Sequence, residues 1–354
     1  MMKLLIVLCS LLAPFCAYGQ EIQRSFAVIV IGGGPAGLAC ATACAKTGYP
    51  TLVCDEEKNG IFYPKLQVTN WPGHPAMTWQ KTLEELRKDF IKNGGICAFT
   101  HVKAVTKNQG VFHITTDMGI FHAPAIVMAT GKEPPPLKTV ITTEEPTRVL
   151  SRLYDESFLL SSDTAILIGN SEYTLTCAIR IAARIKRLYL FLQPPWKSSG
   201  SLKERIARKL PTITWVKSDR ITAINSLKSR ALIESLYKGS KNIQEASWVI
   251  FADEWTPQSS LVHSITSMDS SGAIITYADT GITPSSGLFA CGEVASREFL
   301  NGISAAANGL NTSIAVCQYL LDRGPLPIPQ IPPKEEAPPP PPPPQAGSTG
   351  PEKT

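Results

Sequence analysis

Three glycines, Gly32, Gly34 and Gly37, stand in the spacing G-x-G-x-x-G within the stretch IVIGGGPAGL. Each position has its own physical reason to be glycine. The first permits a tight turn, the second lets the backbone approach a pyrophosphate, and the third lets a helix pack on a strand. An anion at such a turn meets the free N–H groups at the start of the helix. Pro35 and Ala36 complete the turn. About 20 residues further on, Asp55 ends a second strand-like run, Tyr49 to Cys54, where a carboxylate can accept a ribose hydroxyl. The competing reading is a glycine-rich turn that carries no ligand.

These residues need elements to hold them. The apolar run Ala27 to Ile31 enters the turn and the alanine-rich segment Leu38 to Lys46 leaves it, predicting strand, turn and helix. Gln67 to Gly73 predicts a turn, with Pro72 and Gly73 stopping a strand. Thr78 predicts the cap of a helix over Trp79 to Asn93, with Leu83, Leu86, Phe90 and Ile91 at helical spacing and Gly94-Gly95 after it. The runs 96–99, 102–106, 111–116 and 119–122 read together as a small antiparallel meander. Ala125 to Gly131 predicts a buried strand that runs into a glycine turn.

Pro134 to Pro136 marks a boundary, and a second strand–turn–helix–strand pattern follows. It comprises Ala165 to Ile168, Gly169-Asn170-Ser171, a helix from Tyr173 to Ile185 and a strand from Leu188 to Leu192. A basic helix over Ser201 to Lys209 and strands over 212–217, 221–227, 230–237 and 248–251 come next. Asp253 to Ser260 returns the chain to the first unit, Gly287 to Glu293 is a strand ending in a Gly-acid pair, and Gly302 to Leu321 predicts a helix.

With 354 residues, 44% of them hydrophobic and 18% charged, the chain has room for two domains with sizeable cores. The net charge of +5 is small for this length, and no Lys/Arg cluster interleaves with aromatics, so nucleic acid is not an expected partner. At the N-terminus, Lys3, the apolar run Leu4 to Leu12 and the small-x-small site Ala17-Tyr18-Gly19 predict a signal peptide over 1–19 and export to the periplasm or beyond. A retained membrane anchor, or a lipid anchor at Cys16, is the alternative. Seven cysteines remain after the signal: Cys40, Cys44, Cys54, Cys97, Cys177, Cys291 and Cys317. Most lie in apolar patterns, where the thiol packs as a small hydrophobe. No C-x-x-C occurs, and the five histidines show no metal spacing. Prolines dominate Gly324 to Thr354, predicting an extended, disordered tail that could reach a protein or envelope partner.

The motif GGGPAG with Asp55, the segment VTNWPGHP, Ala129-Thr130-Gly131 and GLFACGEVA, in that order and spacing, resemble the thioredoxin reductase-like family of flavoproteins, the class II pyridine nucleotide-disulfide oxidoreductases. The resemblance covers roughly Phe26 to Leu321. It implies an α/β fold of two Rossmann-like dinucleotide-binding domains, of three-layer β/β/α type, with the second inserted into the first. The FAD domain would be discontinuous, 25–133 and 254–322, around an inserted NAD(P)-binding-like domain over 134–253, with the tail over 323–354. FAD is the implied cofactor. Gly32, Gly34, Pro35, Ala36 and Gly37 would hold its pyrophosphate and Asp55 its adenosine ribose. Val102 would meet adenine through backbone groups, and Thr130 and Gly131 would close the site. Gly292 and Glu293 match the family's Gly-Asp pair, whose acid accepts a ribitol hydroxyl. Asn70 and Asn301 would lie at the flavin, although Asn301 also reads as a helix N-cap. A homodimer is the family's usual assembly.

The departures carry equal weight. The family's redox C-x-x-C, in the inserted domain, is missing, so the usual path from flavin to dithiol is not available. The second glycine motif has become Gly169-Asn170-Ser171-Glu172-Tyr173-Thr174. Ser171 places a side chain where a pyrophosphate would approach, and Glu172 places a negative charge beside it. Gln193-Pro194-Pro195 stand where basic residues would take a 2′-phosphate. NAD(P)H use is therefore open. The resulting expectation is an exported FAD-dependent oxidoreductase without the dithiol, its electron donor and acceptor unidentified. The alternative is a FAD-binding protein that has lost turnover and acts as an envelope scaffold.

Overall fold

The structure is a computed structural model that describes residues 24–56, 67–68, 71–73, 77–133, 140–143, 148–150, 153, 159–192, 212–253, 255–296 and 301–324. The signal segment 1–19, Asn70, the basic segment 201–209 and tail residues 325–354 lie outside the described residues.

The first unit is built on five parallel strands. In chain order these are β1 (Val28–Ile31), β2 (Thr51–Asp55) and β3 (Ile96–Phe99), then, after the three-stranded antiparallel sheet β4 (Val102–Asn108), β5 (Val111–Thr116) and β6 (Gly119–Ala123), β7 (Ala125–Met128) and finally Leu288–Ala290. The spatial order is Leu288–Ala290, β7, β1, β2, β3. Val28 pairs with Thr51 on one side and Ala125 on the other, so β1 is central. Every residue of β1 and β7 is buried, which is why both read as unbroken apolar runs.

The two faces of β1 serve two cores. Val28 and Val30 point into a cluster made by α1 (Pro35–Lys46), α2 (Trp79–Lys92) and α4 (Gly302–Asp322). Ile29 and Ile31 join Phe112, Ile114 and Phe121 of the antiparallel sheet. Helices, parallel sheet and antiparallel sheet form the three expected layers. Thr78 caps α2 through its side chain, accepting from the Lys81 N–H at 3.3 Å.

Two expectations for this unit are corrected. β3 is the edge strand of the parallel sheet, with Leu52 opposite Ile96, and no part of a meander. An edge strand has one neighbour, and here Ala98 alone is buried, so its pattern alternates as a hairpin strand's would. Ile91 lies on the outer side of α2, 53% exposed, while Leu83 and Phe90 face the core.

The second unit repeats the scheme. Strands β8 (Thr164–Gly169), β9 (Arg187–Leu192), β10 (Ile213–Val216) and β14 (Trp248–Phe251), with Val149–Leu150, form a parallel sheet carrying α3 (Glu172–Ala182). Val140–Thr143, β11 (Arg220–Ser226), β12 (Ala231–Tyr237) and β13 (Ser240–Ala246) form a second sheet. β13 has no apolar face, with Ile243 61% exposed, so the sequence pattern gave no sign of it. Its hairpin turns at Lys238 and Gly239, both at positive φ (49° and 80°), the backbone of a tight two-residue connection. The chain leaves and re-enters the first unit through two short antiparallel segments, Lys132 opposite Pro257 and Glu133 opposite Thr256. No helix among the described residues is long and apolar enough to cross a membrane.

The closest helix contact pairs α1 with α4. A Cβ at Gly309 would stand 2.1 Å from the Ala36 carbonyl oxygen. Gly309→Ala is therefore expected to lower stability by about 1–3 kcal/mol through overpacking, against the helix propensity gain of about 1 kcal/mol. Urea unfolding beside the control Leu310→Ala, at a half-exposed position on the same helix, measures this. A Gly309→Ala protein as stable as the control would show that the helices can separate at no cost.

Candidate dinucleotide cleft

A cleft of about 610 Å³ opens at the end of the first parallel sheet. Its floor is the turn after β1. Gly32 has φ +109°, and a Cβ there would lie 2.4 Å from the Ala129 carbonyl oxygen. A Cβ at Gly37 would lie 2.0 Å from the Gly32 carbonyl oxygen. These two glycines are required by the protein's own packing. Gly34 differs: a Cβ there would meet nothing within 4 Å. The space beside it is free for a ligand. Gly34 is also the N-cap of α1, with Pro35 in the first turn, where a missing N–H costs nothing. The Ala36 and Gly37 N–H groups have no intrahelical acceptor at this end of the helix.

Asp55 closes one side. It accepts a hydrogen bond from the Gly33 N–H at 3.0 Å and pairs with the Arg87 guanidinium at 3.4 Å. Arg87 in turn lies over the Phe99 ring, 5.0 Å from its centroid. Burial lifts the Asp55 carboxyl above its ordinary range, and the Gly33 N–H and Arg87 oppose that lift. A Cβ at Gly33 would sit 2.5 Å from Asp55 Oδ2, so this position too is closed to a side chain while Asp55 stays in place. Sequence reasoning passed over Gly33, although the run of three glycines was the available signal. It also missed Arg87, which comes from α2 and carries no local signal.

The opposite side comes from the chain's return. Gly292 has φ +73° and donates its N–H to Asn308 Oδ1 at 2.6 Å. Glu293 follows in a short 3-10 turn, Gly292–Ala295. Asn301 caps α4, its Oδ1 accepting from the Ser304 N–H at 2.9 Å, and it lines the cleft as well. The capping and the cleft-facing readings of Asn301 thus hold together. Thr130 donates its hydroxyl to the Gln258 carbonyl at 2.6 Å, and Gly131, at φ +69°, has open space beside it. Val102 lines the rim where β4 begins. Gly37 lies behind the turn rather than on the cleft wall. Asn70 lies outside the described residues.

Two buried polar atoms in the wall, Trp79 Nε1 and Thr100 Oγ1, have no hydrogen-bond partner among the described residues. Unpaired buried donors are costly. An elongated ligand with a pyrophosphate, sugar hydroxyls and ring heteroatoms supplies the missing partners, so the residues present fit FAD.

The second turn contrasts with the first. A Cβ at Gly169 would lie 2.2 Å from Thr174 Oγ1. Thr174 Oγ1 accepts from the Ser171 N–H at 3.2 Å and donates to the Ala252 carbonyl at 2.8 Å. Ser171, the counterpart of Gly34, is 1% exposed and its hydroxyl has no partner among the described residues. Its side chain is enclosed at the position where the first turn keeps open space. The Asn170 N–H is taken by Asp253 Oδ1 at 3.1 Å, and Glu172 opens α3. Cys291 is fully buried in the helix-side core, as its apolar context predicted.

A family model described as pyridine nucleotide-disulphide oxidoreductase matches residues 91–292, and one described as FAD binding domain matches residues 27–64. Among curated proteins, the thioredoxin reductase of Rickettsia typhi is 26% identical over 304 residues, covering 83% of this chain and 97% of that protein. That of Borreliella burgdorferi is 22% identical over 310 residues, covering 85% and 94%. Among solved structures, thioredoxin reductase from Giardia duodenalis shares the fold with a TM-score of 0.76 at 19% identity, covering 84% of this chain and all of that one.

The Asp55 environment predicts a pH signature. A carboxyl with a raised folded pKa binds its proton more tightly in the native state than in the unfolded chain. Its stability contribution is full below the ordinary value of 3.8 and is lost as pH rises through the folded value. Asp55→Asn removes that titration. Urea unfolding of cofactor-free protein at pH 4 and pH 7 should show the variant gaining on wild type at pH 7, and an unchanged gap would rule out burial as the governing effect.

Proposed function

Because this chain belongs to the pyridine nucleotide-disulphide oxidoreductase family, we propose that it is an exported, thioredoxin reductase-like FAD oxidoreductase whose electrons leave by a route other than a flavin-adjacent dithiol. The observation that carries this reading is the open space at Gly34, at the N-terminus of α1 and within one cleft with Asp55, Glu293 and Asn301. When bound, FAD supplies two-electron hydride chemistry, and the protein supplies binding and orientation.

In this reading Gly34 and the Ala36 N–H group take the pyrophosphate, with Gly32 and Gly37 shaping the turn. Asp55 accepts a ribose hydroxyl while its second partner, Arg87, fixes the carboxylate plane. Glu293 receives a ribitol hydroxyl, and Asn301 bounds the flavin edge. Val102 offers backbone groups to adenine, and Thr130 and Gly131 close the site. The lack of any C-x-x-C in the sequence supports an acceptor other than thioredoxin. Export is supported by Lys3, the apolar run Leu4 to Leu12 and the Ala17-Tyr18-Gly19 site. The envelope, with the proline-rich tail as a reach toward a protein partner, is the proposed location.

A second reading is favoured by Ser171, whose enclosed side chain stands where the first turn keeps open space. In that reading the protein keeps FAD but takes no electrons from a nicotinamide, and serves as a binding protein. Anaerobic mixing of the FAD-loaded protein with NADH and with NADPH separates the two. Rapid bleaching of the flavin absorbance is expected of the oxidoreductase, and its absence with both donors favours the binding protein. Asp55→Ala and Gly34→Val should each weaken FAD retention, by loss of the ribose contact and by filling the open space. A folded mature protein that stays colourless with added FAD would overturn both readings.

The missing dithiol gives a separate expectation. Pure protein should not reduce thioredoxin or a small disulfide reagent at a useful rate with either nicotinamide, and Cys291→Ala should leave FAD binding little changed. Steady NADPH-dependent disulfide reduction, abolished by one Cys→Ala substitution, would make the chain a reductase with relocated thiols.

A further inference from the structure

Four of the seven cysteines after the signal gather where α1 packs on α4. Cys40, Cys44 and Cys291 are buried in one core cluster, and Cys317 is half-buried against it. The thiols influence one another electrostatically: Cys291 acts on Cys40, Cys40 and Cys44 act on each other, and so do Cys44 and Cys317. The last pair joins two helices that are far apart in the chain.

Gly309 of α4 rests on the Ala36 carbonyl of α1 without a side chain between them. Cys317 and Cys44 each lie eight residues beyond that contact, about 12 Å along their helices. Ordinary helix pairs sit 8–10 Å apart, whereas a disulfide needs Cα atoms within about 7 Å. A Gly-on-backbone crossing supplies that approach. Thr47 holds the outer end: its hydroxyl lies 2.8 Å from the Cys44 carbonyl oxygen and 3.4 Å from Cys317 Sγ.

We propose that Cys44 and Cys317 form a redox-switchable disulfide that ties α1 to α4, made by exchange with a low-molecular-weight disulfide such as oxidised glutathione. Cys317 is the member reached from solvent. Its sulfur attacks the reagent, giving a mixed disulfide at Cys317 and releasing one thiol. The Cys44 thiolate then attacks Cys317 Sγ and the second reagent thiol leaves with the Cys44 proton. Two S–H bonds and one S–S bond are exchanged for the same set, and the protein pair is oxidised as the reagent is reduced. The other pairings are disfavoured. Cys40 and Cys44 are one turn apart on a helix, where Cβ vectors rarely permit the bond, and Cys40 and Cys291 are both fully buried. Both tied helices begin at the dinucleotide cleft, α1 at Gly34-Pro35 and α4 at Asn301-Gly302, so the bond braces that cleft whichever electron donor is used.

The test is thiol mapping of the folded protein in glutathione buffers from fully reduced to fully oxidised. Free thiols are alkylated under denaturing conditions and the chain is cut with trypsin. The expected product is peptide 25–46 joined to peptide 298–323, with fragment ions placing the bond on Cys44 and the alkyl group on Cys40. Cys44→Ser should leave glutathione attached to Cys317, and Cys317→Ser should abolish both the bond and the adduct. The thermal unfolding midpoint of the wild type should rise on oxidation, with no rise in Cys317→Ser. Cys44 and Cys317 both alkylated in the fully oxidised buffer, or a bond on Cys40 instead, would overturn the proposal.

Discussion

The cleft depends on one helix that meets backbone directly at two points. α1 lies against β1 because Gly37 can touch the Gly32 carbonyl, and against α4 because Gly309 can touch the Ala36 carbonyl. No side chain intervenes at either contact. Helices normally keep their distance through the residues between them. Here small residues remove that spacer, and the N-terminus of α1 is brought over the turn that Gly34 leaves open. The same closeness holds at Gly292, where a Cβ would stand 2.8 Å from the Ala36 Cβ, so the returning chain closes the cleft from the other side. A methyl group at any of these points would open the cleft before it reached a ligand.

Much of this was legible because it follows from local chemistry. The strand–turn–helix around Gly32 to Gly37 is a periodicity change with glycines at the joint. The Thr78 cap, the buried run at Ala125 to Met128 and the long α4 pattern are likewise local. The strand β3 was placed in the wrong sheet because one-sided burial looks the same at a parallel edge as in a hairpin. The strand β13 was missed because it buries almost nothing and exists through its ladder with β12.

In the cleft, the residues that matter by type were legible, and those that matter by position were not. Asp55 announces itself as an acid at a strand end. Arg87, which pairs with it, sits on a helix face among other charges, and nothing nearby marks it. Asn308 is equally silent, one polar residue in an alanine-rich helix, until Gly292 is seen to need an acceptor. The serine at 171 was legible as a departure, but whether its side chain faced out or in depends on Thr174 and Ala252, which bond across the turn.

The two paired segments Lys132–Glu133 and Thr256–Pro257 carry a consequence for how this molecule could have changed over time. They bring the exit and the re-entry of the first unit side by side. Closing a loop between adjacent ends costs only slowly more as the loop lengthens. To the first unit, the 120-odd residues between them amount to one long excursion from a fixed point. Among the described residues, the cleft draws its walls from outside that excursion, save for Trp255 at its very end. Substitutions in the second unit would therefore leave the residues around Gly34 untouched. The second turn can fill with serine and threonine while the first keeps its open space.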